Sequence, residues 1–235
     1  MDTFWSDSVG RRERTVDVQL AISRDGETWF RGGDRQTFLP TGSEGTWDRH
    51  RVYPANSAPI RVGDELWFYY QGRAERHGYE EAPEQRRREP WLAPGHPEDP
   101  PLLPEVPANG GIGLARLRRD GFISIDAGSH SGRLLSKPLF FRGKNLHLNA
   151  VANKGRIRAE LFLAERVASR HPAWNWAIHA PLPGFSLEDC IPIREDTTNG
   201  VLRWKGAGDL QSLENKPVVI RFELTQASLH SFWVD

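Results

Sequence analysis

Several segments within the first 70 residues have the hydrophobic pattern of β-strands. Val16, Val18, Leu20 and Ile22 are separated by polar or small residues, which is the period-2 signature of a strand with one buried face. The Asp25-Gly26 pair predicts a tight turn that returns the chain through Thr28–Phe30 as a hairpin. Two further strands are predicted, Trp47–Tyr53 and Glu65–Tyr70, and the second is apolar on both faces, as in the interior of a sheet.

The second half shows the same period in short segments separated by turns. After the strand Leu146–Ala150 and an Asn153–Gly155 turn, apolar residues 157, 159, 161 and 163 alternate with Arg156, Arg158, Glu160 and Phe162. The alternation argues against a helix over Glu160–Ser169, which propensity alone would allow. Val218–Leu224 repeats the pattern. These segments predict an antiparallel β-sandwich over residues 129–235, interrupted by a loop over 166–181.

An internal repeat indicates a propeller in the first half. An apolar strand, a basic residue and an Asp-Gly turn occur at Leu20–Gly26 and again at Leu114–Gly121, the second with a predicted hairpin of Ile112–Leu117 and Phe122–Ile125. The interval contains a Pro-rich inserted loop, Gly72–Gly111; without it the repeat is about 55 residues, close to one propeller blade. Residues 1–128 therefore predict about two blades, fewer than the roughly four that close a ring.

Several phrases, in this order, resemble a known family. They are Asp17–Ala21, Ser23–Trp29, Gly45–Asp48, Gly63–Tyr70 and Asp120–Ser124, followed by Lys137–Leu139, Leu146–Asn149, Pro183–Phe185, Val201–Gly206 and Arg221–Leu224. Together they resemble the closing blades and following β-sandwich of five-bladed propeller glycosidases, namely glycoside hydrolase family 32 with relatives in family 43. The resemblance implies an all-β fold, a partial β-propeller followed by an antiparallel β-sandwich, and contact with carbohydrate.

The acid motifs of that family are missing from this chain. Its Trp-x-Asn-Asp-Pro-like nucleophile phrase, its Arg-Asp-Pro phrase and its Glu-Cys phrase do not occur, and Glu188-Asp189-Cys190 has the wrong order in the wrong half. Glycoside hydrolysis usually needs two carboxyl groups flanking one bond. The catalytic residues are therefore unknown, with Glu65 as the one carboxylate to test, and we expect the chain to be inactive alone.

One segment has the composition of a sugar-contacting surface. Trp47 offers an aromatic face, Asp48 and Arg49 offer hydrogen bonds to hydroxyls, and Tyr53 and Asn56 follow closely. Trp47 as a core residue is the alternative. Other residues have structural interpretations: Asp25 is expected to bind backbone N–H groups of its turn, while Trp204 and Trp233 are expected in the sandwich core. Trp174 and Trp176 are candidates for an exposed aromatic platform.

Composition limits the partners and the compartment. Lys plus Arg equals Asp plus Glu at 31 each, so no global field favours nucleic acid or an anionic membrane. The lone Cys190 cannot form an internal disulfide, and no spacing predicts a metal site or a cofactor. The acidic N-terminal stretch is unlike a signal peptide, which gives a cytoplasmic expectation for the chain as written.

Two function classes remain, with a third of less interest. The first is the C-terminal part of a glycosidase-like protein whose glycan site is completed by blades from elsewhere. The second is a carbohydrate-binding or protein-interaction module without chemistry. A truncated gene product is the third, and its unpaired sheet edges would favour self-association or a separate chain that supplies the missing blades.

Overall fold

The computed structural model describes residues 5–6, 12–13, 15–74, 110–168, 175–206 and 208–235. Within these ranges the chain is all-β, with two single-turn 3₁₀ helices, Gly33–Arg35 and Gln211–Leu213, and no α-helix. The fold class expected from the sequence is confirmed. The chain divides into two compact units, Met1–Leu117 and Arg118–Asp235.

The first unit is a set of small antiparallel sheets. Its strands are β1 (Trp5–Ser6), β2 (Arg12–Glu13), β3 (Val18–Gln19), β4 (Ala21–Ser23), β5 (Trp29–Arg31), β6 (Thr37–Leu39), β7 (Arg51–Pro54), β8 (Ile60–Val62), β9 (Glu65–Arg73) and β10 (Gly111–Arg118). The longest of them, β9, lies between β10 on one side and β7 on the other, and β8 also pairs with β9. Separate two-stranded pairs join β1 to β2, β3 to β6 and β4 to β5.

The Asp25-Gly26 hairpin is confirmed, whereas other predicted elements of the first unit are shorter than expected. Strands β4 and β5 pair with Ile22 opposite Phe30. The predicted strand Trp47–Tyr53 is wrong in its first half, because the chain turns from Trp47 to His50 before β7 begins. Most of the predicted loop Gly72–Gly111 lies outside the described residues; its ends belong to β9 and β10.

The predicted second hairpin is wrong. Residues Ile125–Ala127 pair with Ala227–Leu229 of the sandwich and not with β10. The second unit begins at Arg118, and within it the side chains of Arg118 and Arg119 donate to the backbone carbonyls of Ala150 and Thr198. Asp120 then adopts a φ of 55°, which redirects the chain away from β10.

The second unit is a two-sheet sandwich. Its strands are β11 (Ile125–Ala127), β12 (Gly132–Leu135), β13 (Leu146–Val151), β14 (Arg156–Arg166), β15 (Trp176–Ile178), β16 (Cys190–Ile191), β17 (Asp196–Trp204), β18 (Val218–Thr225) and β19 (Ala227–Val234). One sheet has the order β11-β19-β13-β17-β16, and the other has the order β12-β18-β14-β15. All pairings within them are antiparallel.

The sandwich core is built from the alternate residues that the sequence pattern identified. Leu146 and Leu148 of β13 pack with Ile157 and Leu161 of β14, and all four side chains are fully buried. The alternation therefore forms a strand and not a helix, as predicted, and β14 continues to Arg166. The predicted loop 166–181 is wrong at Trp176–Ile178, because these residues continue the sheet as β15 opposite Ala164–Arg166.

Candidate functional site

The segment Trp47–Arg49 is a turn that the first unit holds by its backbone and by a buried carboxylate. The N–H of Gly42 donates to the carbonyl of Asp48 over 3.1 Å. Asp48 is 9% exposed, and its side chain accepts the Thr46 hydroxyl at Oδ1 and the Tyr70 hydroxyl at Oδ2, both over 2.8 Å. Asp48 therefore ties the turn to strand β9.

The environment of Tyr70 changes the acidity of its hydroxyl. Burial, followed by the hydrogen bond to the Asp48 carboxylate and the negative charge of that group, raises the pKa of Tyr70 to about 12. The hydroxyl therefore stays protonated and remains a donor to Asp48 over the physiological pH range.

Glycines make room for the aromatic part of the site. The ring of Trp47 stacks on Tyr70 with centroids 5.8 Å apart and planes 12° from parallel. A Cβ at Gly72 would lie 2.5 Å from Trp47 Cζ3, and one at Gly113 would lie 2.3 Å from Tyr70 Cζ. Because only glycine permits this approach, the two rings rest close to the backbone of β9 and β10. Trp47 nevertheless stays partly exposed.

Arg49 has hydrogen-bonding capacity that the protein leaves unused. Its side chain is 17% exposed, and its Nε lies 3.9 Å from Glu44 Oε1, too far for a hydrogen bond. Its Nε and Nη1 are buried and have no acceptor among the described residues. Buried donors without an acceptor are uncommon and point to a ligand or water that supplies one.

Tyr53 and Asn56 lie apart from the Trp47–Asp48 pair. Tyr53 is directly opposite Gln71, whereas Tyr70 belongs to the alternate set of β9 residues. Since successive side chains of a strand point to opposite faces, Tyr53 lies on the face away from Tyr70 and Asp48. Asn56 is exposed in the connection after β7. The structure thus brings together Trp47, Asp48 and Arg49 but not the other two candidates.

Glu65 is held by its own strand on that second face. The Trp67 indole donates to Glu65 Oε2 over 2.8 Å, and the Arg116 guanidinium lies 5.0 Å from the Trp67 ring centroid. Glu65 and Tyr70 are five positions apart on β9, so their side chains point to opposite faces. Glu65 and Asp48 consequently do not face each other across one cleft.

The structural role predicted for Asp25 is confirmed. Its Oδ1 accepts the backbone N–H groups of Glu27 and Thr28 over 2.9 and 2.7 Å and the Ser23 hydroxyl over 3.0 Å. The Thr28 and Glu27 backbone bonds, followed by the Ser23 bond, hold the pKa of Asp25 well below its usual range. The Trp29 indole closes the turn by donating to the Gly26 carbonyl over 3.1 Å.

The tryptophans of the sandwich have different positions. Trp204 is in the core as predicted, with its indole N–H donating to the Ala159 carbonyl over 2.9 Å. The prediction for Trp233 is wrong: it stacks on His147, with centroids 5.2 Å apart, on the sheet face away from the core. Trp176 is half-buried beneath Arg166 and beside Phe140, so its ring is not a free platform. Trp174 lies outside the described residues.

Sequence reasoning missed a polar network on the outer face of the five-stranded sheet. Asn149 is fully buried, accepts Arg118 Nε at its Oδ1 and donates from Nδ2 to the Arg119 carbonyl, both over 2.5 Å. His147 lies between Asn199 Oδ1, 2.7 Å from its Nδ1, and Asp235 Oδ1, 2.8 Å from its Nε2. The sequence did contain a signal for this network. His147 and Asn149 alternate with Leu146 and Leu148, which places the two polar residues on the face opposite the leucines.

Metal ligation and comparison with known proteins add no further assignment. Among the described residues, no three His, Cys, Asp or Glu side chains are grouped so that they could hold a metal ion. In the same part of the chain, no helix has the length and apolar character needed to cross a bilayer. Comparisons with protein-family models, with curated proteins and with solved structures each gave no match.

Proposed function

We propose that this chain binds carbohydrate through Trp47 and Arg49, on the turn that the buried Asp48 carboxylate holds in place, and does not hydrolyse it. The observation that carries the proposal is the Arg49 guanidinium, which has two buried N–H-bearing nitrogens without an acceptor among the described residues. Sugar hydroxyls are suitable acceptors, and the fixed, partly exposed Trp47 ring offers an apolar surface for the C–H face of a sugar.

The positions of the candidate acids favour binding without hydrolysis. A glycosidase places two carboxyl groups about 5 to 9.5 Å apart on either side of one glycosidic bond. Here the Asp48 carboxylate accepts two hydroxyl groups, from Thr46 and Tyr70, while Glu65 accepts the Trp67 indole on the opposite face of β9. Each acid therefore has a structural task and neither faces the other.

A glycan array followed by calorimetry on the tightest oligosaccharide tests the binding. We expect Arg49→Met to weaken binding about tenfold, because charge-assisted hydrogen bonds to the ligand are lost. Arg49→Lys keeps the positive charge but loses the planar guanidinium, so its affinity should lie between those of the wild type and Arg49→Met. Arg24→Met, at an exposed turn position, is the matched control and should bind as the wild type does.

The result that contradicts this proposal is equally concrete. Circular dichroism first establishes that each variant is folded. If folded Arg49→Met and Arg49→Lys bind the oligosaccharide as tightly as the wild type does, the guanidinium does not contact sugar. If no glycan binds to the wild type, the carbohydrate assignment itself is wrong.

A second candidate function is assembly with a chain that supplies further blades. Its support is the β4–β5 hairpin, in which Ile22 and Phe30 lie side by side and Phe30 is 66% exposed. Isolated two-stranded hairpins are marginally stable, and exposed apolar groups of this kind mark contact surfaces. Sedimentation with and without the product of an adjacent reading frame should show association that Phe30→Ser abolishes. A monomer under both conditions would exclude this function.

A further inference from the structure

The outer face of the four-stranded sheet carries three arginines around one glutamate, and we call these four residues the arginine cluster. Arg133 of β12 and Arg158 of β14 each lie directly opposite Glu223 of β18, one on either side. Arg156 is two residues before Arg158 and therefore lies on the same face of β14. Three strands thus bring four charged side chains to one place.

The cluster has more positive charge than its single acid can balance. Arg158 Nη2 donates to Glu223 Oε1 over 2.6 Å. This hydrogen bond is the main cause that holds the pKa of Glu223 below its usual value, and the charges of Arg158, Arg156 and Arg133 lower it further, while burial acts in the opposite direction. With Glu223 ionised, three guanidinium groups and one carboxylate leave an excess of two positive charges.

Among the described residues, no carboxylate other than Glu223 forms an ion pair with an arginine of the cluster. The next charged pair along the same face, Glu160 and Arg221, is joined by its own hydrogen bond and is neutral as a unit. Beside β14, Arg158 Nη1 reaches only the backbone carbonyl of Leu187, over 3.3 Å. Asp189 in that adjacent segment accepts the Ser186 hydroxyl over 2.8 Å.

Two donors of the cluster also lack acceptors. The Nε atoms of Arg156 and Arg158 are buried and make no hydrogen bond with any part of the chain that the structure describes. A buried donor without a partner is energetically unfavourable, and here two occur within one positively charged group. A small oxyanion has the charge and the acceptor geometry that both observations require, since guanidinium groups bind planar or tetrahedral oxyanions through paired N–H donors.

We propose that the arginine cluster binds a carboxylate or sulfate group carried by an acidic polysaccharide. An excess of two charges fits single acidic substituents better than the closely spaced phosphates of nucleic acid, which proteins usually contact with many basic residues. The proposal of an oxyanion site depends only on the arginine cluster. The choice of a polysaccharide as the molecule that carries the oxyanion depends on the proposed function. Because the cluster belongs to the second unit, its occupancy does not require Arg49.

The test follows the arginine Nε–H signals of the full chain by nuclear magnetic resonance at low salt. Sodium sulfate, a polygalacturonate oligomer and a neutral oligosaccharide are titrated separately. Occupancy by an oxyanion should shift the Nε–H signals of Arg156 and Arg158 saturably, because these groups gain an acceptor. A purely structural cluster would show no saturable shift.

Variants decide whether the cluster is responsible. Arg133→Gln and Arg156→Gln should each weaken oxyanion binding about five- to tenfold, through the loss of one charge-assisted contact. Arg203→Gln removes an exposed arginine of β17 in the other sheet and is the charge-matched control. Arg158 is left unchanged because its loss would leave the Glu223 carboxylate without its partner. Arg49→Met should bind sulfate as the wild type does, which separates this proposal from the first one.

Each outcome has one meaning. Saturable binding of both sulfate and polygalacturonate that Arg133→Gln and Arg156→Gln weaken supports the proposal in full. Sulfate binding alone supports an oxyanion site but overturns the polysaccharide as carrier. Equal weakening by Arg203→Gln, or no binding of either anion, overturns the site.

Discussion

Burial of the Tyr70 hydroxyl and its hydrogen bond to Asp48 make the first unit sensitive to alkaline pH. We expect Tyr70 to titrate near its raised pKa of about 12, and Asp48→Asn to lower that pKa part of the way towards 10.0, because the contribution of burial remains. Because the pKa of Tyr70 is higher in the folded state than in the unfolded state, the protonated hydroxyl contributes to the stability of the fold. This contribution is fully present below pH 10 and is lost as pH rises through 12.

Ultraviolet absorbance of tyrosinate, recorded against pH for the wild type and Asp48→Asn, measures this effect. The exposed neighbour Tyr69 serves as the control, since Tyr69→Phe should leave the transition near pH 12 unchanged. Loss of that transition in Tyr69→Phe would contradict its assignment to Tyr70.

Asn149 is a fully buried polar residue that joins Arg118 and Arg119. Asn149→Ala removes the acceptor of the Arg118 Nε–H and the donor to the Arg119 carbonyl. We expect a loss of about 2 to 3 kcal/mol in the free energy of unfolding, measured by urea denaturation, because unsatisfied buried groups cost about 1 to 3 kcal/mol each. The exposed turn residue Asn153 provides the control, and an equal effect of Asn153→Ala would refute a special role for Asn149.

At the scale of elements, strands β14 and β18 are joined by partly buried ion pairs as well as by their backbone ladder. Glu160 is 3% exposed and lies directly opposite Arg221, which also covers the ring of Phe162. Glu160→Met alone should lower the free energy of unfolding by about 1.5 to 3 kcal/mol, since it removes a charge-assisted hydrogen bond and leaves a partly buried cation unpaired. The double variant Glu160→Met/Arg221→Met should recover most of that loss, because two apolar side chains pack together.

Urea denaturation of the two single variants and the double variant gives the coupling energy between the residues. Losses that simply add would show that Glu160 and Arg221 do not depend on each other.

The elements also show what the sequence could and could not predict. The alternation of apolar and polar residues identified β14 and β18 and their buried faces. A strand with one apolar face shows this two-residue period in its own sequence, whichever strands it pairs with. It could not identify the partner of Ile125–Ala127, since strand pairing depends on distant residues such as Ala227–Leu229. For the same reason the arginine cluster was invisible: Arg133 is far in sequence from Arg156, and the register of β18 brings them together.

The candidate site was predictable in part. The residue types of Trp47–Arg49 indicated sugar contact, but the sequence gave no sign that Asp48 would be used to hold Tyr70. Tyr53 was expected beside Trp47 because it is close in sequence. The turn before β7 and the alternation of that strand place it on the other face.

At the scale of the whole molecule, the two units differ in how much apolar surface they bury. The fully buried apolar side chains of β13, β14 and β18 form one large cluster in the second unit, whereas the β4–β5 hairpin is exposed along nearly its whole length. Amide hydrogen exchange followed by mass spectrometry should therefore show the slowest exchange in β13, β14 and β18 and the fastest in the β4–β5 hairpin. Equal protection of the hairpin would mean that another surface covers it.

The central claim is that the chain binds carbohydrate without cleaving it, and one calorimetric titration tests both parts. Injection of the tightest oligosaccharide from the array should give a saturable heat for the wild type, a binding curve about tenfold weaker for Arg49→Met, and no continuing heat of reaction. A continuing heat that Glu65→Gln abolishes, or the absence of saturable heat for any glycan, would contradict the claim.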